Sequence, residues 1–136
     1  MKYNMKQRVY YGDTDSYGVV WHGAYVRWME QARVEFCREI GLDLVELMNN
    51  GITIPVTNMN IRYKASARLD EPIVVETYVS KISPLTITFT QIIKSEDLTR
   101  TFIIGTVEVV AVNNEGKIYR RLPDVLKQAC EQVLEV

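Results

Sequence analysis

Two carboxylates stand close together in the run Tyr11-Gly12-Asp13-Thr14-Asp15-Ser16-Tyr17-Gly18-Val19-Val20-Trp21-His22, just ahead of a long helical pattern. In an extended turn, side chains two apart share a side, so one acid can face a pocket while the other braces the loop. The residues before the helix, Val19 to His22, include none of the Ser, Thr, Asp or Asn caps that normally occupy the first amides. Uncapped amides, with the helix dipole behind them, bind an anion or a developing oxyanion. A carboxylate beside such a donor suits acyl transfer to water. The donor polarises a thioester carbonyl while the carboxylate attacks it or activates water. The same residues are also ordinary turn formers, and two acids before a helix suit its dipole, so spacing alone does not separate the readings. His22 alone is equally compatible with a hydrogen-bonded structural role.

Composition removes other chemistries. The single histidine rules out a multi-histidine metal site within one subunit. No G-x-S-x-G elbow, P-loop or dinucleotide fingerprint occurs. With 16 Lys and Arg against 17 Asp and Glu, the chain lacks the excess positive charge of a general nucleic-acid binder. The cysteines, Cys37 and Cys130, have no metal-type spacing and are expected to be reduced. The stretch from Met1 to Asp15 turns polar too early for a signal peptide, and no run approaches the roughly 20 apolar residues of a membrane span. A cytoplasmic location is therefore expected, with no cofactor and no metal.

The carboxylates need elements to hold them. The 136 residues, 47% of them hydrophobic, suffice for one domain with a real core. A strand is expected over 5–11, and a helix from about 23 to 40. On that helix Tyr25, Met29, Ala32, Phe36 and Ile40 recur at steps of three to four and mark the apolar face. Arg27, Gln31, Glu35, Arg38 and Glu39 supply the other side, and Gly41 stands at a left-handed C-terminal cap. A shorter helix is expected over 44–49, closed by Gly51. Strands follow over 52–64, 73–82, 85–93 and 101–112, with a hairpin extension over 117–120. Short connections make neighbouring strands antiparallel. Pro123 opens a terminal helix on which Leu122, Leu126, Ala129 and Val133 line up. One long helix must then be covered by one curved sheet in a single α+β domain over residues 1–136.

The run from Tyr10 to Arg33 resembles the signature of the 4-hydroxybenzoyl-CoA thioesterase family, most closely its YbgC-like branch. Asp13, Thr14, Asp15, Gly18, Val19, Val20, His22, Tyr25, Glu30 and Arg33 fill the places of that pattern. Downstream, Tyr63-Lys64-Ala65-Ser66-Ala67-Arg68-Leu69-Asp70 is similar to the family's second block. The resemblance implies a hotdog fold, an antiparallel sheet wrapped around one long central helix, and hydrolysis of an acyl-CoA thioester. It implies Asp15 as the catalytic aspartate, as nucleophile or as base for water. The His22 amide becomes the oxyanion donor, and its imidazole positions water or substrate. Asp13, Thr14 and Gly18 support the turn, Glu30 and Arg33 form a structural pair, and Val20, Tyr25 and Pro55 line the substrate pocket. The family joins the sheets of two subunits with active sites at the interface, which implies a homodimer or homotetramer.

Two departures modify these expectations. Ser66 stands where many relatives carry proline, which predicts a looser second block. The hairpin around Ser83-Pro84-Leu85 lacks the basic cluster with which some relatives hold CoA phosphates; only Lys81 is near. Nucleotide binding then falls to residues such as Arg68, and an acyl-carrier-protein thioester becomes an alternative substrate. A non-catalytic acyl-CoA sensor or scaffold, and a hydratase or dehydratase on the same fold, are the competing functions. The sequence leaves the acyl group open.

Overall fold

The computed structural model describes every residue from Met1 to Val136. Five strands, β1 (Tyr3–Arg8), β2 (Val56–Tyr63), β3 (Pro72–Ile82), β4 (Thr86–Ser95) and β5 (Thr101–Val110), join three helices, α1 (His22–Glu39), α2 (Leu44–Asn49) and α3 (Asp124–Gln132). The sheet order is β1-β3-β4-β5-β2, and every neighbouring pair is antiparallel. The strands wrap α1. This is the expected α+β hotdog arrangement.

The apolar stripe of α1 drives the packing. Ala24, Tyr25, Trp28, Met29, Ala32, Phe36 and Cys37 are all buried, a face wider than the expected line because Trp28 and Cys37 join it. Ile40 is the C-cap and only half-buried. Gly41 takes φ +85°, the left-handed conformation that ends helices and favours glycine. Asp43 caps α2 by accepting from the Val45 and Glu46 amides.

β4 alternates as expected, with Ile87, Phe89 and Ile93 facing the core. Leu85 is exposed instead, since it sits in the hairpin ahead of the strand. The core face also carries Gln91, fully buried. Its Nε2 donates to the Met29 carbonyl at 2.8 Å and to Thr77 Oγ1 at 2.9 Å. Arg33 Nη1 donates to Gln91 Oε1 at 3.0 Å. Two of these hydrogen bonds tie the helix to the sheet and the third joins β4 to β3; no buried side-chain polar atom lacks a partner.

Gly105 on β5 sits close beneath Met29 of α1. A Cβ there would lie 2.9 Å from Met29 Cε and 3.2 Å from the Asn60 carbonyl. The methionine end can move; the backbone carbonyl cannot. Gly105→Ala is therefore expected to cost about 1–3 kcal/mol in urea unfolding, and an unchanged midpoint would refute the close contact.

α3 closes the open end of the core with Leu126 and Cys130. Both cysteines are free and buried. Burial pushes the Cys37 thiol up to about 11. Burial, with Cys37 adding to it, pushes Cys130 up to about 12. Both folded values lie above the unfolded value near 9. Their contribution to stability is thus whole below about pH 9 and is lost as pH rises through the folded values. Urea midpoints should fall from about pH 9 to pH 12, and less steeply for Cys130→Ala. Equal slopes for both proteins would remove Cys130 as a source of the pH dependence.

Candidate active site

The turn ahead of α1 is built by its own backbone. Residues Tyr11–Asp13 form one 3-10 turn, after which Thr14 pairs with Val20 across a short hairpin. The Asp15 amide donates to the Val19 carbonyl and Gly18 N–H to the Asp15 carbonyl, at 2.9 and 3.0 Å. Gly18 completes the turn at φ +79°, where a side chain would be strained. Thr14 Oγ1 donates to the Tyr11 carbonyl at 2.9 Å.

The turn is not extended, because Asp13 ends a 3-10 turn, and the two acids have opposite surroundings. Asp13 is 5% exposed; its Oδ2 accepts from the Tyr10 amide at 2.9 Å and its Oδ1 is ion-paired with Arg27. Asp15 is exposed, and only its Oδ1 has a hydrogen-bond partner, the Tyr17 amide at 2.8 Å. Asp13 therefore anchors the turn to α1, and Asp15 keeps one carboxylate oxygen without a protein partner. Arg27, which sequence reasoning left on the solvent side, is the residue it missed. Nothing in its position on the helix marks it as the partner of an acid in the preceding turn.

α1 starts without help from side chains. Trp21 occupies the N-cap, no side chain caps the first amides, and no acid lies in the first turn. The His22 side chain is exposed, its ring edge-on to Trp21 with centroids 5.5 Å apart. A surface depression of about 310 Å³ opens beside it, walled by Val20, His22, Tyr25 and Tyr63 with Lys64, Ala65 and Ser66 along one side. Tyr63 also donates to the His22 carbonyl at 3.4 Å.

The second block is hydrogen-bonded to the turn and to the sheet around Ser66. Val20 N–H donates to the Ala67 carbonyl at 3.0 Å, and Ala67 N–H to Tyr25 Oη at 2.9 Å. Lys64 N–H donates to the Phe102 carbonyl at 2.8 Å, and Arg68 N–H to Glu71 Oε1 at 3.1 Å. These four hydrogen bonds tie the block down on both sides of Ser66. Val20 and Tyr25 are buried, so their first duty is to join the two blocks. Burial raises the Tyr25 phenol above its ordinary range, partly offset by the Ala67 hydrogen bond.

One expected pair does not form. Glu30 is exposed and makes no ion pair, while Arg33 turns inward to Gln91. Burial lowers the Arg33 pKa, and the field of Glu30 opposes that shift. The guanidinium is drawn inward because Gln91 offers an acceptor beneath the helix. Arg68 is exposed, without an ion pair, and its backbone bridges Val19 beside the turn. No helix is long and apolar enough to cross a membrane.

Residues 9–130 match the model of the thioesterase-like superfamily. The chain belongs to this superfamily. The acyl-CoA thioester hydrolase YbgC of Escherichia coli O6:H1 is 35% identical over 105 residues, covering 77% of this chain and 76% of that protein. The 4-hydroxybenzoyl-CoA thioesterase of Pseudomonas sp. is 25% identical over 118 residues, covering 85% of this chain and 80% of its own. The crystal structure of a DHNA-CoA thioesterase from Staphylococcus aureus superposes with a TM-score of 0.89 at 27% identity, over 96% of this chain and 89% of that one. The family expected from the Tyr10–Arg33 signature is thus the one to which this thioesterase-like chain belongs.

The structure does not bring Pro55 to His22 within one chain. Pro55 precedes β2, whereas Tyr63, at the far end of that strand, touches His22. Eight steps along a strand span roughly 26 Å. Pro55 and His22 of one chain therefore stand at opposite ends of β2.

Proposed function

We propose that the protein hydrolyses acyl-CoA thioesters to a free acid and CoA, with Asp15 as the catalytic carboxylate. The observation that carries this is the exposed Asp15 carboxylate in a rigid turn that leads directly into a helix start free of side-chain caps. In one course, Asp15 attacks the carbonyl carbon, the C–S bond breaks, and water then cleaves the anhydride. In the other, Asp15 takes a proton from water as the water oxygen attacks the same carbon. In both, the His22 amide donates to the carbonyl oxygen as it gains negative charge, and the sulfur leaves to be protonated. The His22 imidazole orients the water. Arg68 offers an unpaired cation for the CoA phosphates, and the same chemistry serves a carrier-protein thioester.

The working unit on this reading is a dimer joined through β2. That strand lies at the sheet edge, pairs only with β5, and carries one charged residue among eight. The opposite edge, β1, carries Lys6 and Arg8, charges that deter pairing. Two copies of one strand related by a two-fold axis run antiparallel. The Pro55 end of one copy then lies beside the Tyr63–His22 end of the other, and Pro55 reaches the pocket from the partner.

Mass spectrometry of products tests the reaction. Free acid and CoA should accumulate beyond the amount of enzyme. Acyl-CoA recovered intact from a tight complex would select the sensor reading instead. Sedimentation equilibrium should give a dimer, or a tetramer built from dimers; a monomer that still turns over substrate would remove the β2 interface.

A further inference from the structure

A second apolar space lies inside the fold, away from the turn. A cavity of about 40 Å³ sits between the C-terminal half of α1, α2, α3 and the sheet. Leu42, Leu44, Ile54, Phe89, Cys37 and Cys130 are among its walls. Arg33 is its only charged wall, and its guanidinium is held by Gln91. The site proposed for catalysis does not use this space. His22 and Cys37 are fifteen residues apart on α1, about 22 Å along the axis, too far for a short acyl group attached at its own subunit's turn.

The position of Ile54 changes this. It lines the cavity and directly precedes Pro55, the residue that an antiparallel β2 pair sets beside the second copy's His22. Resting on the dimeric thioesterase reading above, we infer that this cavity receives the end of an unbranched aliphatic acyl group whose thioester is held by the other copy's catalytic turn. Cys37 and Cys130 both line it, and α2 contributes Leu44 to its wall. Both thiols are neutral, as an alkyl tail requires, because burial raises their pKa values. The free space, little more than the roughly 30 Å³ share of one water molecule in the liquid, takes the last one or two carbons and is too small for an aromatic ring. Longer chains need α2 to move. That helix has only 6 residues and a single buried side chain, Leu47, so it is the wall most easily displaced.

Cysteine size sets the test. Straight-chain acyl-CoAs from two to twelve carbons, with benzoyl-CoA, are assayed for thiol release by wild type, Cys130→Ala and Cys130→Val. Removing the sulfur should shift the preferred chain longer by one or two carbons, and Val should shift it shorter. The hexanoyl-to-acetyl rate ratio should differ about tenfold between the two variants. Identical profiles in two folded variants, or benzoyl-CoA as the best substrate, would overturn the assignment. A second measurement needs neither variant nor turnover. Labelling of the native thiols by a small maleimide is followed with S-hexyl-CoA, S-methyl-CoA or desulfo-CoA, none of which can be hydrolysed or react with the maleimide. Slower labelling with the hexyl compound alone is the expected result. Equal rates with all three would contradict the proposal even if no acyl-CoA were ever hydrolysed. Protection by S-hexyl-CoA without hydrolysis would retain the cavity and discard the catalytic reading.

Discussion

Asp15→Asn is expected to lower thioester turnover by roughly 10²–10⁴-fold while the protein stays folded. The carboxamide has nearly the same shape, and its oxygen still accepts the Tyr17 amide, so the hairpin from Asp15 to Val19 survives. What disappears is the negative charge, and with it both a nucleophile and a proton acceptor. Because the side chain is exposed, stability should change by no more than about 0.5 kcal/mol. The contrast with Asp13 sharpens the result. Asp13→Asn weakens the ion pair to Arg27 at the root of the turn, so its effect should show in the urea midpoint as well as in rate. An Asp15→Asn enzyme within threefold of wild-type kcat would assign the chemistry to another group.

The largest effect on stability is expected at Gln91. Gln91→Leu fills the same space but deletes the acceptor of Arg33 and the donors to Thr77 and Met29. A mostly buried guanidinium is then left without a partner, at an expected cost of about 3–5 kcal/mol. The double variant Arg33→Met/Gln91→Leu removes both ends. It should recover the part of that loss due to the unpaired guanidinium, while the buried Thr77 hydroxyl still lacks the partner that Gln91 supplied. Urea unfolding of the two single variants and the double variant measures the coupling. A double variant no more stable than Gln91→Leu would mean that the charge itself is needed in the core.

The elements most legible in sequence were those whose signal is local. The stripe of Tyr25, Met29, Ala32 and Phe36 with Gly41 behind it places α1 within a residue of its observed limits, and Leu44 to Asn49 form α2 as expected. Where tertiary contacts decide, the reading slipped. β1 was expected to run to Tyr11, since Val9-Tyr10-Tyr11 suits a strand. Instead the chain bends into a 3-10 turn that Asp13 fastens through the Tyr10 amide. The strand expected from Ile52 starts at Val56, because Ile52 and Ile54 pack toward the core while Thr53 bridges Val112.

Within the site, the turn and the helix start were legible because both are short-range features. The partners of the charged helix residues were not. Spacing of three suggests a Glu30–Arg33 pair on the surface, but only the fold shows that Gln91 waits beneath Arg33 and that Asp13 reaches Arg27. Pro55 marks a further limit. Its place in a pocket rests on the proposed pairing of two copies, a relation that no pattern along one chain can show.

The most direct test is continuous thiol release from a panel of acyl-CoAs by the purified wild-type protein. The expected result is multiple-turnover release of CoA with a clear preference among straight aliphatic chains. No release from any acyl-CoA or acyl-carrier-protein thioester, by a folded protein in its native assembly, would contradict the thioesterase account.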